Sequence, residues 1–163
     1  MPAPTAYEDY RINARIKISA LWTSVLFVFG YVDLFSSFRG DVRADIEAGR
    51  MFAFTIGPGF LLGATVYVLV PSLMVFLSLV LRPRVARTTN VVVAVLYAVT
   101  IVGGTIGEWG YYVLGSVAEA AALAAVVYYA WTWPKVAGPA GALTTHAGST
   151  ARAHAAPAVR GKP

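Results

Sequence analysis

The chain has 163 residues, 58% of them hydrophobic and only 13% charged. Soluble domains carry about 25% charged residues, and here the missing charge is absent in blocks, which points to one compact membrane domain. The net charge of +5 sits in short clusters beside the apolar runs, a pattern of membrane topology and not of a nucleic-acid groove. With no cysteine, thiol redox chemistry, disulfides and thiolate metal sites are excluded. The two histidines, His146 and His154, lie in the C-terminal tail, so no span offers an imidazole for haem, copper or iron, and no cofactor or metal is expected.

Residues 1–17 are polar and end in Arg11, Arg15 and Lys17. The first apolar run, Ile18–Phe38, is long enough to cross about 30 Å of hydrocarbon. A cleaved signal peptide is rejected because the run is long and no A-x-A pattern follows it. Arg39–Arg50 is charged and formally neutral, and Met51–Ile56 is apolar, read as a loop or a short interfacial helix. Pro58 stands where a helix should begin. The second run reaches Leu81 and contains Pro71, which in a span makes a kink whose freed carbonyl a neighbour can satisfy.

Arg82, Arg84 and Arg87 with Pro83 read as a tight basic loop that sets topology and meets anionic lipid headgroups. The third run is Thr88–Ile106. The chain turns at Gly107–Gly110, and the fourth run is Tyr111–Trp133, ended by Pro134. Residues 134–163, rich in Ala, Gly, Pro, Ser and Thr with no acid, are expected to be a disordered basic tail. The expected architecture is an all-α bundle of four transmembrane helices, about 18–38, 58–81, 88–106 and 111–133. Ten Lys and Arg on the terminus side against three on the other place both termini in the cytoplasm.

Two carboxylates lie inside the runs, Asp33 in the first and Glu119 in the fourth, and no Lys or Arg lies in any run. A charge at mid-membrane costs about 2.5–3.5 kcal/mol on the insertion scale, so each acid needs a reason to be there. Asp33 falls on a stripe with Ser19, Thr23, Leu26, Gly30 and Ser37, expected to face the bundle, with Leu21, Val25, Val28 and Phe35 toward lipid. Glu119 shares a stripe with Tyr112, Gly115, Ala122, Val126 and Tyr129. Small residues on these stripes read as packing surfaces. The second run offers Gly63, Tyr67, Pro71, Met74 and Ser78, and the third Asn90, Tyr97, Ile101 and Gly104. Asp33 is expected about 8 Å under the outer surface and Glu119 about 15 Å deep, which does not indicate direct contact.

Three states are open to each acid. It can be protonated, it can hydrogen-bond to Tyr, Ser, Thr or Asn, or it can hold a proton or cation in a wet cavity. The hypothetical polar site is therefore Asp33 and Glu119 with Tyr67, Tyr97 and Asn90. The two tyrosines are read first as structural. Glu108, in the outer turn, reads as a solvated carboxylate or as the rim of a cavity leading to Asp33. Gly59-x-x-x-Gly63 fits a helix-contact motif, weakly.

Several stretches resemble a family of small bacterial four-span membrane proteins known only as a domain of unknown function. They are Ile16–Asp33, with Leu21-Trp22-Thr23 and Tyr31-x-Asp33; Pro71–Asn90, with Arg87-x-x-Asn90; and Tyr111–Pro134, with Glu119 and the ending Tyr-Ala-Trp-Thr-Trp-Pro. Family members often carry a glutamate just before the second-span proline, where this chain has Leu69-Val70. The resemblance implies a four-helix bundle in a bacterial cytoplasmic membrane and no activity, and it places Asp33, Arg87, Asn90 and Glu119 on the family pattern. The functional expectation is a non-enzymatic module: a small carrier, a channel-like unit or an accessory subunit, working as a homo-oligomer or with a membrane partner. The alternatives are an interaction protein whose acids only join helices, and a lipid- or quinone-acting enzyme, for which no nucleophile–base constellation is visible.

Overall fold

A computed structural model describes residues 11–133; the segment read as a disordered tail lies outside them. The order of elements is α1 (Ala14–Ser36), α2 (Gly40–Glu47), β1 (Arg50–Met51), β2 (Phe54–Thr55), α3 (Pro58–Val80), α4 (Pro83–Gly104) and α5 (Gly110–Trp131). Helices α1, α3, α4 and α5 are 22 or 23 residues long and apolar enough to cross a membrane. At about 1.5 Å per residue each reaches about 33 Å. The protein is thus a four-span helical membrane protein.

Helix α3 begins at Pro58 as expected, but α1 and α4 begin about a turn earlier than their apolar runs. Asn13 caps α1, its side chain accepting from the Arg15 backbone N–H at 3.0 Å. Pro83 stands in the first turn of α4, so Arg84 and Arg87 belong to a helix and not to a loop. The physical reason is that hydropathy marks where hydrocarbon begins, whereas proline at the first position and good helix formers such as arginine mark where the helix begins. Only Leu81 and Arg82 join α3 to α4.

The stretch after α1 is also more ordered than a loop. It forms α2 and a two-residue hairpin pairing Arg50 with Thr55 and Met51 with Phe54. Gly49 takes φ +74°, a conformation glycine adopts without penalty, and its carbonyl accepts from the Ile56 N–H at 2.8 Å.

Helix α1 packs on α5 and α3, and α5 packs on α4; α3 touches α4 much less. The core is Ile18, Trp22 and Val25 from α1, Met74 from α3, Ala94, Tyr97 and Ile101 from α4, and Leu123, Val126 and Ala130 from α5. The buried line of α1 is therefore offset from the small-residue stripe. Ser19 is buried, but Gly30, Asp33 and Ser37 are exposed, and Val25, expected to face lipid, is buried. Trp22 explains the offset: it is the largest side chain fully removed from the surface, and it turns its own face inward. The stripe on α5 does face inward, with Gly115, Glu119 and Val126 buried. Gly115 lets α1 come close: a Cβ there would overlap the Cγ2 of Val32. Gly63 has nothing within 4 Å of where its Cβ would stand, so the Gly59–Gly63 spacing makes no contact within the bundle.

Candidate functional site

The polar groups of the core fall into two sets, those that satisfy one another and those that do not. Asn90 belongs to the first. Its Oδ1 accepts from the Trp22 Nε1–H at 2.7 Å and faces the Ser78 hydroxyl at 3.0 Å, and its Nδ2 donates to the Ala86 carbonyl at 2.8 Å. Trp22, Ser78 and Asn90 have no exposed surface, so this node joins α1, α3 and α4 in the absence of water. Hydrogen bonds across membrane helices are worth about 0.6 kcal/mol on average and up to about 1.7.

Tyr67 and Tyr97 belong to the same set. Their rings stack at 4.8 Å, and the Tyr97 hydroxyl donates to the Tyr67 carbonyl at 2.5 Å. That carbonyl is four residues before Pro71, whose ring nitrogen has no hydrogen to offer it. Tyr97 thus replaces the helix bond that Pro71 removes. The Tyr67 hydroxyl bonds Thr100 Oγ1 at 2.8 Å. The void lined by the two tyrosines and Pro71 measures about 10 Å³, room for one water at most. Both tyrosines are packing and capping groups in this geometry, with no space beside them for a ligand.

Glu119 belongs to the second set. It is 4% exposed, and among the described residues its carboxyl group makes no hydrogen bond and no ion pair. It is near the midpoint of α5. Asp33, in the last turn of α1, is nearer the helix end than expected, about 5 Å from Ser36 along the axis. Its side chain too has no hydrogen bond or ion pair among the described residues. Asp33 and Glu119 each lie within electrostatic range of the other, and of Tyr67 and Tyr112.

Asp33 opens into a cavity of about 190 Å³ beneath α2 and the hairpin, whose walls also include Ser36, Arg39, Glu108 and Tyr112. Its charged lining is Asp33, Asp41, Asp45 and Glu108 against Arg39 and Arg50, four acids to two bases. Arg39 holds this end of the molecule together. It bonds Asp41 through two nitrogens at 3.1 and 2.6 Å, Glu108 at 2.5 Å, and lies 4.6 Å from the Trp109 ring. These partners hold the Arg39 guanidinium well above its ordinary range and Asp41 below the usual carboxylate range, the Arg39–Asp41 hydrogen bond being the leading cause of both. Glu108 is therefore not a free loop carboxylate: its side chain is 18% exposed and paired. Arg50 pairs with Asp45 at 3.0 Å. Asp33 is left as the lining acid without a base.

Arg39 and Asp41 escape the sequence reading because a neutral run of mixed charge looks like solvated loop. The available signal was the placement of Arg39 directly after the first span and Glu108 in the turn on the same side. At the opposite end, Arg15 bonds the Leu79 carbonyl and lies over Trp133, Lys17 lies over Tyr129, and Arg87 lies 5.1 Å over Trp131. Among the described residues no group of three or more His, Cys, Asp or Glu side chains is placed to hold a metal ion.

The fold defines the class: a four-span helical membrane protein. Within that class the chain belongs to a family of unknown function (DUF6326), which matches residues 7–138. Comparison with curated proteins and with solved structures gives no match.

Proposed function

We propose that this protein is a non-enzymatic membrane module that takes up a proton or small cation through the cavity at Asp33 and passes that ion on to Glu119. The observation that carries this reading is the division of labour among the polar groups. An acid retained only to join helices should hydrogen-bond across a helix contact. Here Asn90, Ser78, Trp22, Tyr67 and Tyr97 make those bonds, while Asp33 and Glu119 make none among the described residues. An unpartnered carboxyl in a span is a default functional group because its burial is otherwise pure cost. The excess of acids around the cavity favours cations over anions.

Four spans are few for a complete carrier, so the working unit is a homo-oligomer or a complex with a membrane partner. The excess of Lys and Arg on the terminus side, ten against three, orients the termini toward the cytoplasm of a bacterial cell. The test is proton flux into vesicles holding the purified protein, measured with an internal pH dye. Asp33→Asn and Glu119→Gln should each abolish a pH-dependent flux while leaving the detergent melting temperature unchanged. Equal flux in both variants and the native protein refutes the proposal and returns the acids to a structural role.

A further inference from the structure

Several basic side chains at the membrane boundary are already engaged. Arg39 is bound by Asp41 and Glu108, Arg15 by a carbonyl and Trp133, and Lys17 by Tyr129. Arg84 and Arg87 are the pair that share a groove: among the described residues neither side chain donates a hydrogen bond or forms an ion pair, and Arg87 is held only over Trp131. Both stand in the first turns of α4, where the helix dipole is positive, yet the first turn holds no acid and Arg82 makes no side-chain cap. Two like charges are thus set against a like-signed helix end, with no acid among the described residues to neutralise them.

They border a groove of about 330 Å³ between α4 and α5, whose other walls are Thr88, Val91, Val92 and Trp131. The groove is graded. Arg84 to Val92 spans about 12 Å along the helix, running from guanidinium groups at the membrane boundary to bare valine in the hydrocarbon. Arg87 lies 5.1 Å over the Trp131 ring, which fixes one face of its guanidinium and leaves the N–H edge open. Planar N–H edges of this kind pair with phosphate oxygens, two bonds at a time. A headgroup phosphate beside an acyl chain is the one ligand that matches both ends of the groove.

We infer that this groove binds a single anionic glycerophospholipid, its phosphate held by Arg84 and Arg87 and its upper acyl segment lying on Val91, Val92 and Trp131. This is a specific site, not the diffuse attraction of a basic loop, and Arg82 is not part of it.

The test uses the full-length protein, stripped of lipid in a neutral detergent, with bound molecules counted by native mass spectrometry. Separate arms add phosphatidylglycerol, phosphatidylcholine and inorganic phosphate. The native protein should retain one phosphatidylglycerol, with about a tenfold preference over phosphatidylcholine and no displacement by phosphate. Arg84→Gln with Arg87→Gln should lose about tenfold in retention. Val92→Trp, which keeps both arginines and fills the exposed apolar wall, should lose retention too. Arg43→Gln, at the other end of the spans, should match the native protein. Equal retention of the two lipids, displacement by free phosphate, or full retention by either groove variant overturns the inference. The lipid comparison and Val92→Trp decide it even if the double arginine variant does not fold.

Discussion

Replacing Asn90 by alanine tests whether one buried node, and not hydrophobic contact alone, fixes the register of α1 against α3 and α4. The change removes the acceptor of the Trp22 Nε1–H, which has no exposed surface and no other partner among the described residues. Ser78 keeps its bond to the Met74 carbonyl at 2.6 Å, so only the indole is orphaned. An unsatisfied buried donor costs about 1–3 kcal/mol. Allowing for the weaker net value of such bonds between membrane helices, the loss should be about 2 kcal/mol. Trp22→Phe removes the donor in advance, so Asn90→Ala should cost about 1 kcal/mol less in that background. Reversible unfolding in mixed micelles, with denaturing detergent as the variable, measures all four corners of the cycle. Additivity within about 0.3–0.5 kcal/mol would refute the node, since independent sites behave that way.

Three further outcomes follow from the same contacts. Tyr97→Phe should cost about 1 kcal/mol by orphaning the Tyr67 carbonyl, and Pro71→Ala should remove most of that cost by restoring the helix donor, as unfolding midpoints of the pair would show. Gly115→Ala should destabilise by about 1–3 kcal/mol because Val32 is β-branched and cannot swing aside, and adding Val32→Ala should recover much of the loss. Asp41, held below its ordinary value by Arg39, contributes to the α2 end fully above about pH 4 and loses that contribution as pH falls through its lowered value. A carboxyl-detected NMR titration should show its midpoint moving up in Arg39→Gln.

The sequence makes the four spans legible because apolar run length is a physical requirement of the bilayer. It makes the inward face of α5 legible for a similar reason, since Gly115 and Glu119 can face only a protein interior or a cavity. The face of α1 is not legible from its small residues, because the volume of Trp22 decides the packing. The ends of α1 and α4 are misread because hydropathy does not report the Asn13 cap or Pro83 in the first turn. Arg39, the centre of the α2-side cluster, is only partly legible in one dimension: Asp41 stands two residues on, but Glu108 is brought to it by the fold across 69 residues. Arg87-x-x-Asn90 marks Asn90 in the sequence as part of a motif, while its bond to Trp22, 68 residues away, is a property of the packed bundle alone.

The unpartnered state of Glu119 is the point on which the functional reading turns, and infrared spectroscopy reads it directly. With glutamate carboxyls isotope-labelled, the native protein in lipid should show a carboxyl C=O band that is absent in Glu119→Gln, disappears reversibly as pH is raised, and shifts in Asp33→Asn. A Glu119 band that is indifferent to pH and to Asp33 would mean a permanently protonated, isolated acid, and would contradict a role in moving protons or cations.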